Sequence, residues 1–113
     1  MPKKTPGPTE AQWQTEVLRI AKRWGWRSYH TRVSFGSAGG FPDLVMVRGR
    51  HGALGPRLIF AELKSETGTV KPAQQDWLDE LTEYGVEVYV WRPSDVEQVV
   101  EVLSGLRWSK VTR

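Results

Sequence analysis

Cysteine is absent from the chain and histidine occurs only twice. Disulfides and thiolate metal sites are therefore excluded, and a zinc site built on imidazoles is not expected. Any bound metal must rest on carboxylates and carbonyls, which suits a hard cation such as Mg²⁺ or Mn²⁺. Long apolar runs are also missing. None approaches the roughly 20 residues that a membrane-spanning helix needs. Residues 1–8 are basic and proline-rich without an apolar stretch, so a secretory signal or anchor is not expected there. A cytoplasmic protein without membrane association or organic cofactor follows as the expectation.

What is present fits one domain. The chain has 113 residues, 39% of them hydrophobic and 26% charged, with six tryptophans to fill a modest core. The formal net charge is +3, compatible with a polyanionic partner. Residues 1–8 read as a flexible basic tail, 9–105 as the folded domain and 106–113 as a basic C-terminal tail.

Thr9 and Gln12 have capping-box spacing and open a helix. Trp13, Val17, Ile20, Ala21 and Trp24 then recur on one apolar face, and Gly25 stands where the helix should stop. Glu16 lies on the flank of that face. Residues 27–33, 43–47, 57–64 and 86–91 read as strands. Pro72 suits the first position of a second helix, with Trp77, Leu78, Leu81 and Tyr84 inward and Gly85 as its stop. Ser94 and Glu97 predict a further capping box before a helix that turns Val96, Val99, Val100 and Leu103 inward. The order is α-β-β-β-α-β-α. The first three strands should form a meander, and the strand–helix–strand step should be a crossover between parallel strands. An α/β fold with a mixed sheet flanked by helices results.

Chemistry concentrates on the third strand. Glu62 and Lys64 are two residues apart and share a face. Their strand is otherwise apolar, and charges there are costly unless paired or bound. Asp43 follows a glycine-rich loop and Pro42, and would lie beside Glu62 if the second and third strands pair. Two adjacent carboxylates repel, and a divalent cation removes the repulsion. The Leu63 carbonyl is then available as a third oxygen ligand. Such a centre can polarise a phosphodiester and activate water, with Lys64 orienting that water and stabilising charge on the phosphate. Gly39 and Gly40 would let a nucleic-acid backbone approach closely. His30, Arg32, Arg19 and Arg23 are candidates for flanking phosphates. The same triplet also reads as an edge-strand ion pair, with Asp43 capping a loop.

Gly40-Phe41-Pro42-Asp43-Leu44-Val45, Ala61-Glu62-Leu63-Lys64, Gln74-Gln75-Asp76-Trp77-Leu78 and the segment from Leu81 to Gly85 together resemble a VRR-NUC domain. That is a branch of the PD-(D/E)XK, restriction-endonuclease-like nucleases. The resemblance covers about Thr9 to Leu103. It implies an α-β-β-β-α-β core, here with an extra C-terminal helix. It also implies metal ligands Asp43, Glu62 and the Leu63 carbonyl, with Glu16 supporting the metal directly or through water. Lys64 would be catalytic, and Gln74 would lie close to it. Lys71 departs from the serine usual before Pro72. Tyr29-His30 resembles a segment of stand-alone, often phage-encoded members, which tend to be homodimers acting on branched DNA, including four-way junctions. The expectation is a Mg²⁺- or Mn²⁺-dependent endonuclease for structured DNA. A nucleic-acid-binding module with a vestigial nuclease site is the alternative.

Overall fold

The computed structural model describes residues 7–31, 39–49 and 55–105. Its elements are α1 (Glu10–Arg23), β1 (Trp26–His30), β2 (Leu44–Arg48), β3 (Arg57–Leu63), α2 (Pro72–Glu83), β4 (Glu87–Trp91) and α3 (Val96–Ser104), with a short 3₁₀ turn, Pro93–Asp95, before α3. The four strands stand in chain order in one sheet. β1, β2 and β3 pair antiparallel, and β4 joins β3 in parallel after α2. The expected meander and the parallel step are both present. No helix among the described residues is long and apolar enough to cross a membrane.

Register explains the layering. Leu44 pairs with Ala61 and Met46 with Ile59, and all four are fully buried. Partners across a sheet share a face, so these residues define one side. α1 and α3 cover it, with Trp13, Val17, Ala21, Val99, Val102 and Leu103 completing the core. The opposite side carries Val45, Val47, Leu58, Phe60 and Glu62. Only part of it lies under α2, and Val47 and Leu58 remain about two-fifths exposed, at 40% and 41%.

Two indoles lace the helices to the sheet. Trp13 Nε1 donates to the Trp91 carbonyl at 3.0 Å, and Trp26 Nε1 donates to the Leu103 carbonyl at 2.7 Å. Each bond satisfies the one polar atom of a buried ring. The first fixes the early turns of α1 beside the end of β4. The Thr9–Gln12 capping box forms as expected, with both reciprocal bonds present.

Other expectations change at element ends. Trp24 and Tyr84 were expected on buried helix faces. Both sit just beyond their helices as the capping residue, and they are 42% and 82% exposed. The Ser94–Glu97 box does not form. Asp95 instead accepts the Arg92 N–H at 2.8 Å and builds the 3₁₀ turn, so α3 begins at Val96. Ser94 is left outside the helix and bonds Glu66. The inward set becomes Val99, Val102 and Leu103, while Val96 is 37% exposed. β2 starts at Leu44, one residue after Asp43, and β1 runs Trp26–His30. Arg32 and Val33 lie outside the described residues.

One buried charge pair was not foreseen. Arg57 Nε and Nη2 donate to the two Glu87 carboxylate oxygens, and Nη1 donates to the Val102 carbonyl at 3.2 Å. The pair joins β3 to β4 and to α3. Both side chains are largely withdrawn from water, so removing one partner strands the other's charge. Glu87→Ala is expected to lower stability by on the order of 3 kcal/mol in urea unfolding, more than Asp79→Ala on the exposed side of α2.

Candidate active site

Asp43 is placed from both sides. Thr31 holds the preceding segment by donating its N–H to the Asp43 carbonyl at 2.8 Å and its hydroxyl to the Pro42 carbonyl at 2.7 Å. The side chain then accepts the Leu63 N–H on Oδ2 at 2.8 Å. Pairing of Leu44 with Ala61 carries Asp43, one residue earlier, to a place opposite Glu62. Glu62 and Lys64 project from the same face, 1% and 5% exposed.

Glu62 is the crowded centre of this group. Its Oε2 lies 3.5 Å from Lys64 Nζ and accepts Gln74 Nε2 at 2.9 Å. Its Oε1 is buried with no hydrogen-bond partner among the described residues. Burial, then the charge of Asp43, push the Glu62 carboxyl up to about 7, against the opposing influence of Lys64. Asp43 is also raised, chiefly by burial. The Leu63 N–H opposes that rise, and the charge of Glu10 adds to it.

α2 supplies Gln74 through a self-made cap. Lys71 precedes Pro72 and offers no acceptor side chain. Gln74 compensates: its Oε1 accepts the Lys71 N–H at 2.8 Å while its Nε2 reaches Glu62. One amide therefore caps the helix and grips the carboxylate. The 39–43 segment is pressed against the same helix. Trp77 Nε1 donates to the Gly39 carbonyl at 3.1 Å, and Phe41 packs edge-on between Trp77 and Phe60. Gly40 has φ +89°, and a Cβ there would lie 2.5 Å from the Ala73 carbonyl oxygen. The first turn of α2 therefore leaves no room for a Cβ at Gly40.

The donor set fits a hard divalent cation. It holds two adjacent carboxylates, one with an unpartnered buried oxygen, and burial together with their mutual repulsion disfavours the doubly ionised pair that a cation would neutralise. Among the described residues no three histidine, cysteine or acidic side chains cluster as metal ligands. A metal here must complete its shell from backbone oxygen and water, as Mg²⁺ readily does.

The VRR-NUC domain model matches residues 9–95. The chain belongs to the VRR-NUC family. Among solved structures it is similar to a VRR-NUC domain protein, with 23% identity, 86% of each chain covered and a TM-score of 0.64. It is also similar to Archaeoglobus fulgidus Hjc, a Holliday junction resolvase from an archaeal hyperthermophile. There the identity is 20%, 72% of this chain and 66% of that chain are covered, and the TM-score is 0.50. No curated protein sequence matches. The restriction-endonuclease-like fold expected of a VRR-NUC nuclease domain is the fold observed.

The VRR-NUC domain gathers Asp43, Glu62, Lys64 and Gln74, but treats the other expected residues differently. Glu16 is engaged by Arg19 on the surface of α1, with its side chain 39% exposed. The α1 carboxylate whose charge reaches Asp43 is Glu10. The family resemblance put the supporting acid at Glu16, and Glu10 was not singled out from the sequence. The available signal was its position three residues before Trp13, on the turn that docks beside β4. His30 is half-buried on β1, paired with Leu44 beside Asp43. Arg19 and Arg23 are exposed farther along α1. Arg23 is about 20 Å from Glu10 along the axis at 1.5 Å per residue, and it stacks over Trp24. Gly39 is exposed, and Arg32 lies outside the described residues.

Two outcomes follow. The Glu62 carboxyl titrates at about 7 against an ordinary 4.5. A raised acid favours folding below its unfolded value and loses that contribution as pH climbs through the folded one. Metal-free protein should therefore lose on the order of 3 kcal/mol of stability between pH 4.5 and 7. In EDTA, melting curves of Glu62→Gln should lie above wild type at pH 8 and converge with it near pH 5. Separately, Gly40→Ala forces a side chain into the first turn of α2. It should cost about 2 kcal/mol and reduce any catalysis that depends on Gln74. Thermal melting checks the first effect and turnover the second.

Proposed function

We propose that this chain is a Mg²⁺- or Mn²⁺-dependent endodeoxyribonuclease that hydrolyses phosphodiester bonds in branched DNA, four-way junctions foremost. The observation that carries this reading is the buried, unpartnered Oε1 of Glu62 beside Asp43, with Lys64 Nζ 3.5 Å from the other oxygen of the same carboxylate. Similarity of fold to a Holliday junction resolvase supports the choice of substrate.

Asp43, Glu62 and the Leu63 carbonyl would hold the metal, with Glu10 in the supporting place that sequence reading gave to Glu16. When bound, the metal polarises a phosphate oxygen and lowers the pKa of water. Gln74 and Lys64 engage Oε2 of Glu62, which leaves the buried Oε1 as the oxygen available to a metal. Lys64 carries its ammonium on a nearly buried stem, which lets it orient the attacking water and stabilise charge developing on the phosphate. His30, Gly39 and Gly40 border the Asp43 end and would meet the DNA near the scissile bond. Arg32, Arg19 and Arg23 would contact flanking phosphates and set position without reading sequence. A homodimer related by a two-fold axis would present one site to each of two strands.

The test is cleavage of labelled single-stranded, duplex, flap and four-way substrates in Mg²⁺, Mn²⁺ and EDTA. Junction cleavage should require metal and fall at least about 1,000-fold in Asp43→Asn and Lys64→Met, a loss of roughly 4 kcal/mol of transition-state stabilisation. Cleavage that persists in EDTA or in these variants contradicts the reading. Tight junction binding with no cleavage in any metal would favour a binding module. Sedimentation of the protein as a monomer, with and without junction, would remove the dimer.

A further inference from the structure

We propose that Arg92 is a positioning residue for the active site, acting through the turn that follows Lys64. This rests on the nuclease reading above.

The turn spans residues 65–68 and forms one wall of the site. A Cβ placed on Gly68 would lie 3.4 Å from Glu10 Oε2 and 3.6 Å from Lys64 Cδ. The turn therefore stands against both the lysine stem and the α1 carboxylate. Its own bonding is thin, consisting of the Gly68 N–H shared between the Ser65 carbonyl at 3.3 Å and the Ser65 hydroxyl at 3.1 Å.

The corner after β4 supplies the rest. Arg92 Nη1 donates to the Ser65 carbonyl at 2.8 Å and to the Gly68 carbonyl at 2.6 Å. A single cationic nitrogen thus closes both ends of the turn, with bonds stronger than neutral ones. Ser94 adds a second tie, its N–H and hydroxyl meeting Glu66 Oε2 and Oε1 at 2.9 and 2.6 Å. Arg92 is itself anchored, because its N–H donates to Asp95 Oδ2 at 2.8 Å and its carbonyl accepts the Asp95 N–H at 2.7 Å. One residue earlier, the Trp91 carbonyl accepts the Lys64 N–H at 3.1 Å. Backbone and side chain of this corner therefore bracket Lys64. Without Arg92, the Gly68 carbonyl loses this donor and the Ser65 carbonyl keeps only the long bond from the Gly68 N–H, so the turn is free to widen and the lysine stem loses its backing. Displacement of a catalytic group by about 1 Å is enough to slow chemistry 100-fold.

Arg92→Ala should slow single-turnover junction cleavage at saturating protein by about 10- to 100-fold. Junction affinity, measured by anisotropy with Ca²⁺ in place of the active metal, should stay unchanged. Arg92→Lys should restore part of the rate, since one ammonium can serve both carbonyls. Val102→Ala, a core change in α3, is the control for stability loss and should keep its rate well below its melting temperature. Hydrogen exchange gives a second readout. In Arg92→Ala, exchange at Lys64 and across 65–68 should quicken beyond that in Val102→Ala. Wild-type cleavage by Arg92→Ala, a loss confined to affinity, or exchange no faster than in the control overturns the proposal. If the wild-type protein cuts no substrate, the nuclease reading fails, and exchange alone decides whether Arg92 holds the wall.

Discussion

Glu62 is buried beside Asp43 at the end of a central strand, and most of the surrounding structure exists to tolerate that contact. A carboxylate pair withdrawn from water is unfavourable by itself. The chain offsets it with Lys64 on the same strand face, with the Gln74 amide from α2, and with the Leu63 N–H on Asp43. The compensation stops short: Glu62 retains an unpartnered oxygen and an elevated affinity for protons. A carboxyl that still holds part of its proton near neutral pH is one that a divalent cation can occupy by displacing it.

The framework follows from the same need for precision. α1 is pinned at its start by Trp13 to the end of β4, and the corner after β4 holds the turn after Lys64. α2 is pinned by Trp77 and Phe41 to the segment before Asp43. Three elements thus converge on one end of the sheet, where the register places Asp43 opposite Glu62. The opposite end is secured separately by Arg57, Glu87 and Trp26. Stability and chemistry are therefore carried largely by different residues.

The strands and the shared face of Glu62 and Lys64 were legible because they depend on local periodicity, and Asp43 joined them through the antiparallel pairing expected of consecutive strands. Alternation on 57–64 puts Glu62 and Lys64 together whatever the rest of the chain does. What was not legible depends on contacts distant in sequence. Glu10 and Glu16 are both plausible acids on α1, and only the docking of Trp13 on Trp91 tells which end of the helix meets the site. Gly40 reads as an open loop until α2 is seen against it. Ser94 and Glu97 satisfy the capping pattern, yet distant Glu66 takes the Ser94 N–H and hydroxyl while Asp95 accepts the Arg92 N–H and starts the corner. The role of Gln74 came from family resemblance, and its geometry accounts for the missing cap at Lys71.

If Asp43 and Glu62 together hold one cation, its binding must displace the proton that Glu62 retains near pH 7. Calorimetric titration of Mn²⁺ into the protein at pH 6.5, repeated in buffers of different ionisation enthalpy, tests it directly. Saturable binding with net proton release is expected, with both lost in Asp43→Asn and Glu62→Gln. Undiminished binding in those variants, or binding without proton release, would contradict it.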